Sequence, residues 1–210
     1  PRSTLVWHCA ALQESLAGLQ RFNVEHPLKL SCEELRLAAA AMGKGLQLYA
    51  CFDPKLPERL IGDVTRIRQI LNNLLNNAVK FTDYGRVVLR VKLLDRDDER
   101  SSVLWQVSDT GKGIAQEDQA MIFEPFYQTE GNTNVVAGTG LGLPICQRLT
   151  QLMNGHSRMV SELGLGSSFS LTLPLEEAPC TPMSSLLAET IYVVSPIPEL
   201  TQSIGGWLRR

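Results

Sequence analysis

"RQILNNLLNNAVKF", residues 68–81, has a spacing that predicts an amphipathic helix with a polar border. At about 100° per residue, Ile67, Ile70, Leu71, Leu74 and Ala78 make one apolar face, while Asn73, Asn77 and Lys80 fall on a single stripe beside it. Asp63 stands where an N-cap belongs. Asn72, Asn73, Asn76 and Asn77 put four asparagines into six positions, a cost to the helix because each amide competes for nearby backbone. A solvated face would tolerate them. The chemical alternative is that an amide oxygen ligates a hard divalent cation without adding charge, while an ammonium meets phosphate oxygens.

Downstream, "GRVVLRVKLL" (85–94) and "VLWQVSD" (103–109) read as strands around a charged turn. The second strand runs into "DTGKGI" (109–114), where Asp109 sits at the strand end with Gly111 and Gly113 beside it. That is ordinary turn chemistry, and equally a carboxylate at a pocket mouth, able to accept a hydrogen bond from the exocyclic amine of a purine. "FEPFYQ" (123–128) opens a stretch from Ile122 to Val136 that suits either a small satellite core or a lid hinged between glycine-rich segments. In "GTGLGLPIC" (138–146), Gly138, Gly140 and Gly142 alternate where a helix to about Met153 should start, although glycine is a poor helix former. A loop with unusual backbone angles would explain this. So would a cradle whose N–H groups and helix dipole face an anion such as a triphosphate.

Around this centre, residues 3–22 carry helical spacing, and "SCEELRLAAAAMGKG" (31–45) reads as a helix capped by Ser31 with Glu34 as its capping-box partner. "LQLYACFD" (46–53) reads as a strand and the proline-bearing run after it as a loop; "SRMVSE" (157–162) and "SFSLTLPL" (168–175) are further strands. Short turns between strands mixed with helices predict an α/β sandwich with a largely antiparallel or mixed sheet. "EEAPCTPMSS" (176–185) reads as a linker, "TIYVV" (190–194) as a strand and "PELTQSIGGWLRR" (198–210) as a helix opening another domain.

With 44% apolar residues and a formal charge of −2, the 210 residues can bury a core and lack the positive charge that nucleic acid attracts. Five cysteines, odd in number and without CxxC pairing, fit reduced thiols in a cytoplasmic setting better than a disulfide or zinc framework. Starting at Pro1 and stopping in mid-pattern, the chain reads as a fragment of something longer.

Taken together and in order, "NLLNNAVKF" (73–81), "DTGKGI", "FEPFYQ", "GTGLGL" (138–143) and "GLGSSFSLTLP" (164–174) closely resemble the N, G1, F, G2 and G3 boxes of the sensor histidine kinase catalytic and ATP-binding domain. That family belongs to the ATPase group that includes gyrase, HSP90 and MutL. The resemblance covers about Phe22 to Leu175 and implies a two-layer α/β sandwich of the Bergerat type, with a mixed, largely antiparallel sheet and an ATP lid. It implies a histidine kinase of the two-component, phosphorelay type, using ATP and Mg²⁺. The implied domains are 1–22 as the tail of a dimerisation and phosphoacceptor hairpin, 23–176 as the ATP-binding domain, 177–189 as linker and 190–210 as the start of a degenerate receiver.

By the same resemblance, Asn77 would ligate Mg²⁺, Asn73 would face the reacting phosphate, Lys80 would touch phosphate oxygens and Phe81 would lie against the adenine. Asp109 would bond the adenine amine, with Gly111, Gly113 and Ile114 lining the approach. Gly138, Thr139, Gly140, Leu141, Gly142 and Leu143 would wrap the phosphates and anchor the lid. Where gyrase, HSP90 and MutL carry a glutamate that activates water, Asn73 offers an amide, which cannot act as a general base; the implied reaction is phosphoryl transfer rather than hydrolysis.

His8, His26 and His156 lack the context of a phosphoacceptor, which is expected outside this fragment. The implied partners are a histidine-bearing hairpin and a response regulator or receiver, in a homodimer anchored in the bacterial inner membrane with this segment in the cytoplasm. Ser195 and Pro196 replace the acidic pair of a receiver. The competing expectation is a regulatory module of the same fold that binds nucleotide, or none, and controls a partner kinase; a gyrase-type hydrolase is a third.

Overall fold

The computed structural model describes residues 3–6, 32–57, 59–97, 100–128, 139–178 and 195–208. In chain order these form strand β1 (Ser3–Val6), helix α1 (Cys32–Gly43), strands β2 (Gln47–Phe52) and β3 (Arg59–Gly62), and helix α2 (Val64–Phe81). Strands β4 (Arg86–Arg96) and β5 (Arg100–Asp109), a 3-10 turn at Met121–Phe123, helix α3 (Gly142–Leu152), strands β6 (His156–Glu162) and β7 (Gly166–Glu177), and helix α4 (Pro198–Leu208) follow.

The seven strands make one sheet in the order β1-β3-β7-β5-β4-β2, with β6 also on β7. Only β2 and β4 run parallel, Gln47 opposite Arg86 through Phe52 opposite Val91; the remaining pairs are antiparallel. This is the mixed, largely antiparallel sheet expected. Strand β7 is its spine, meeting β5 along one edge and, along the other, β6 and then, through its own last two residues, Leu60 and Ile61 of β3.

Strand alternation then decides the layers. Ala50 and Phe52 of β2, Val87, Leu89 and Val91 of β4, Val103, Trp105 and Val107 of β5, and Leu171, Leu173 and Leu175 of β7 join one core with Leu37 and Ala41 of α1, Ile67, Ile70, Leu74, Leu75, Ala78 and Val79 of α2, and Cys146 of α3. Losing one fully buried leucine from such a core costs roughly 2–5 kcal/mol, so these positions fix how α2 and α3 lie on the sheet. Asp63 caps α2 as expected, accepting from the Arg66 N–H at 3.1 Å and pairing with its guanidinium at 3.0 Å.

Two segments depart from the sequence reading. Ser3–Val6 is not helical but pairs antiparallel with β3, Ser3 opposite Gly62. The strand β3 itself lies in what reads as a loop. Both are only four residues long, too short for periodicity to reveal, and their pairing satisfies backbone groups that a loop would leave to water. The remainder of the 3–22 helix, the Ser31 cap, the 179–189 part of the linker and the 190–194 strand lie outside the described residues.

Helix α4 forms where expected and packs on the sheet. Its first turn meets the other face of β2 and β4, where Tyr49, Cys51 and Val88 make a separate cluster with Ile197 and Leu200, while Trp207 near its end packs against the main core. The buried Ser203 hydroxyl accepts from the Phe52 N–H and donates to the Phe52 carbonyl, both at 3.0 Å. Trp207 Nε1 donates to that carbonyl at 3.1 Å. Arg90 holds Glu199 through two hydrogen bonds, the Nη2 bond being 2.7 Å.

Candidate functional site

The polar border of α2 is half-buried at Asn73, Asn77 and Lys80, between core-facing Leu74, Leu75, Ala78 and Val79 and the exposed Asn76. Asn73 Oδ1 lies 3.6 Å from where a Cβ on Gly142 would stand, so the first residue of α3 packs onto the upstream end of the amide row. Cys146, one turn further along α3, also meets Asn73. Burial pushes its thiol up to about 11, with the Asn73 hydrogen bond acting the other way, so it stays protonated and packs as an apolar group.

The downstream end of α2 is tied to two other places and closed by its own cap. Its last carbonyls have no partner within the helix; Lys44, in the turn after α1, donates to those of Val79 at 2.9 Å, Lys80 at 3.0 Å and Thr82 at 3.0 Å. The buried Thr82 hydroxyl donates to Ala78 O at 2.6 Å. The Phe81 carbonyl accepts the Lys112 N–H at 3.3 Å. This last bond joins the amide helix to the loop that follows β5.

In that loop, Asp109 Oδ1 accepts the N–H groups of Gly111 at 2.8 Å and Ser167 at 3.3 Å. Burial raises the carboxyl above the usual aspartate range, and those two donors partly offset it. Neither bond uses Oδ2, which keeps an acceptor for a ligand amine. A Cβ on Gly111 would stand 2.4 Å from the Phe81 carbonyl oxygen, and one on Gly113, at φ +70°, 2.0 Å from the Glu162 carbonyl oxygen. Only glycine lets the loop run this close to α2 on one side and the β6–β7 hairpin on the other. Ile114 completes the fastening: its N–H donates to Ser161 Oγ at 2.9 Å, and the Gln119 amide spans the carbonyls of Ile114 at 3.1 Å and Ser161 at 3.0 Å.

Gly138 and the lid stretch 129–138 lie outside the described residues, but the flanks of that stretch meet. The Phe126 N–H donates to the Gly140 carbonyl at 3.0 Å, and Phe126 holds φ +67°, a conformation that costs a bulky residue of order 1–3 kcal/mol. Tyr127 anchors the near flank through its hydroxyl to Asp118 at 2.6 Å. On the far flank Thr139 Oγ1 accepts the Leu141 N–H at 3.4 Å. Leu143, half-buried, packs against the core. Pro144 falls in the first turn of α3, where its missing N–H has no partner to lose.

The structure therefore assembles Asn73 with Gly142, and Phe81 with Gly111 and Lys112, along one helix edge. Among the described residues no group of three or more His, Cys, Asp or Glu could hold a metal ion. A cation here would depend on amide and ligand oxygens, and Asn77 suits a hard ion of that kind. A small cavity of about 20 Å³, bordered by Ile70, Leu74, Cys146, Phe169 and Leu171, belongs to the core behind α3. It holds at most one water. Sequence reasoning missed Lys44 and Lys112. Lys112 stands inside a motif it had singled out; Lys44 gave no local signal.

The model of the histidine kinase-, DNA gyrase B-, and HSP90-like ATPase family matches residues 62–177. The chain is 41% identical over 165 residues to hybrid signal transduction histidine kinase B of Dictyostelium discoideum, covering 77% of this chain and 8% of that protein. It is 43% identical over 133 residues to sensor histidine kinase RcsC of Salmonella typhimurium, covering 63% and 14% respectively. Similarity thus extends beyond bacterial proteins. Among solved structures, full-length ShkA in complex with AMPPNP superposes with a TM-score of 0.63 at 32% identity, over 86% of this chain and 38% of that one.

Proposed function

The chain belongs to the histidine kinase-, DNA gyrase B-, and HSP90-like ATPase family, and we propose that it is the Mg-ATP-binding catalytic domain of a hybrid sensor histidine kinase. It spans only 8% and 14% of the two curated relatives above, so the reaction of the whole protein is part of the proposal: γ-phosphate passes to a histidine supplied by another segment or another chain. The receiving group then hands it to a receiver domain or response regulator, in a homodimer held at a membrane with this domain in the cytoplasm.

One observation carries this. The α2 edge bearing Asn73, Asn77, Lys80 and Phe81 is brought against both glycine segments, Gly142 at Asn73 and Gly111 at Phe81. Asp109 then accepts the purine amine through Oδ2, Phe81 backs the base and Lys80 meets phosphate oxygens. Asn77 supplies an amide oxygen to Mg²⁺, which when bound neutralises phosphate charge. Asn73 orients but takes no proton, so water is a poor nucleophile here and positioning dominates.

Mixing the chain with γ-labelled ATP, Mg²⁺ and a histidine-bearing helical hairpin from a hybrid kinase tests this. Acid-labile label on the hairpin is the expected product. Tight nucleotide binding without transfer favours the regulatory-module reading, and steady phosphate release favours a hydrolase.

A further inference from the structure

Lys112, between the two glycines of the loop after β5, is held on both sides of its backbone. Its N–H donates to Phe81 O at 3.3 Å, and its carbonyl accepts the Gly164 N–H at 2.7 Å. From this fixed base the exposed side chain turns back over α2, and its ammonium lies 5.1 Å from the centroid of the Phe81 ring. The Lys80 ammonium lies 5.1 Å from the same centroid. Two cations therefore share one ring.

A cation–π contact at an exposed site is worth only a few-fold in an equilibrium constant, and two like charges gathered at one ring oppose each other. No carboxylate among the described residues pairs with either ammonium. The nearest acid in the loop, Asp109, already spends Oδ1 on Gly111 and Ser167. This end of the site thus holds two positive charges that no group among the described residues balances. A polyanion would balance both.

We propose that Lys112 is a second cationic contact for the phosphates of the bound nucleotide, acting beside Lys80. The Phe81 ring keeps both long side chains aimed at the site when it is free, lowering the entropy lost when they engage. This rests on the nucleotide reading above. It adds a determinant that separates phosphorylated nucleotides from the bare nucleoside.

The test compares the parent chain with Lys112→Gln and Lys112→Arg, titrated with Mg-ATP and with adenosine at low and high salt. Lys112→Gln should weaken Mg-ATP about 5- to 20-fold, flatten its salt dependence and leave adenosine within about 2-fold, as expected for one lost, screened charge pair. Lys112→Arg should restore most of the loss, because charge rather than shape is what matters. Parent-like Mg-ATP affinity and salt dependence in Lys112→Gln would overturn the proposal while leaving the nucleotide reading intact. Equal losses for ATP and adenosine would also overturn it, since they indicate a disturbed loop. A parent chain that binds neither ligand would overturn both.

Discussion

The Lys44 ammonium stands 3.0 Å from the main-chain carbonyl oxygen of Lys80, joining the turn after α1 to the end of the amide-bearing helix. With its bonds to Val79 and Thr82 it is a side-chain cap for α2, of the kind a cation provides at the negative end of a helix dipole. The cap holds the carbonyls of the residues on either side of Phe81, Lys80 and Thr82.

Replacing this cap should therefore loosen both fold and site. Lys44→Met is expected to cost about 1–3 kcal/mol of stability, the range for losing charged hydrogen bonds to groups left half-buried. Lys44→Arg should recover part of it. Chemical denaturation gives the stability, and Mg-ATP affinity should fall in parallel; an unchanged midpoint for Lys44→Met would show that the carbonyls find water instead.

Asp109 should set stability against function. Its carboxyl is raised by burial, and a group with a folded pKa above its unfolded one lends the fold most stability below the ordinary aspartate range. That contribution disappears as pH rises through the raised value. At pH 7 the ionised group is thus a burden, and Asp109→Asn is expected to melt higher than the parent, with the gap closing toward pH 4. The same variant should bind ATP more weakly. A variant that melts lower at pH 7 would contradict this.

Gly113→Ala should be poorly tolerated. The φ of +70° and a Glu162 carbonyl oxygen 2.0 Å from where a Cβ would stand leave no room for a methyl group without moving the loop or the hairpin. A loss of about 1–3 kcal/mol is expected, together with weaker nucleotide binding. Thermal melting and titration of the same sample check both.

Helix α4 should matter for stability and not for nucleotide. Ser203 satisfies both the N–H and the carbonyl of Phe52 on an edge strand, so Ser203→Ala should cost about 1–3 kcal/mol. Glu199→Gln, whose partner Arg90 sits in a half-exposed pair, should cost no more than about 1 kcal/mol. Mg-ATP affinity should stay unchanged in both, because Ser203 and Glu199 meet Phe52 and Arg90 rather than α2; a drop in affinity would reveal coupling between the two faces.

Much of this is legible in the residues themselves. The face of α2, its Asp63 cap and the strands around "DTGKGI" follow from local periodicity and turn chemistry, and the α3 start follows from glycine spacing. What escapes is set by distant contacts. Strands β1 and β3 are too short to carry a pattern. Lys44 is 36 residues from Lys80, and nothing in "MGKGL" announces where its ammonium will go. The outer face of β2, with Tyr49 and Cys51 as apolar as the inner one, hints that something covers it without saying that α4 does. Asn73 and Asn77 could be placed on one stripe from spacing alone, but only the fold shows Gly142 packed against Asn73.

Calorimetric titration of Mg-ATP into the full chain and into Asn77→Asp tests the central claim most directly. Saturable one-to-one binding that needs Mg²⁺ and falls at least about tenfold when a carboxylate replaces the amide beside the phosphates is the predicted result. No binding in the parent chain, or equal affinity in the two, would contradict it.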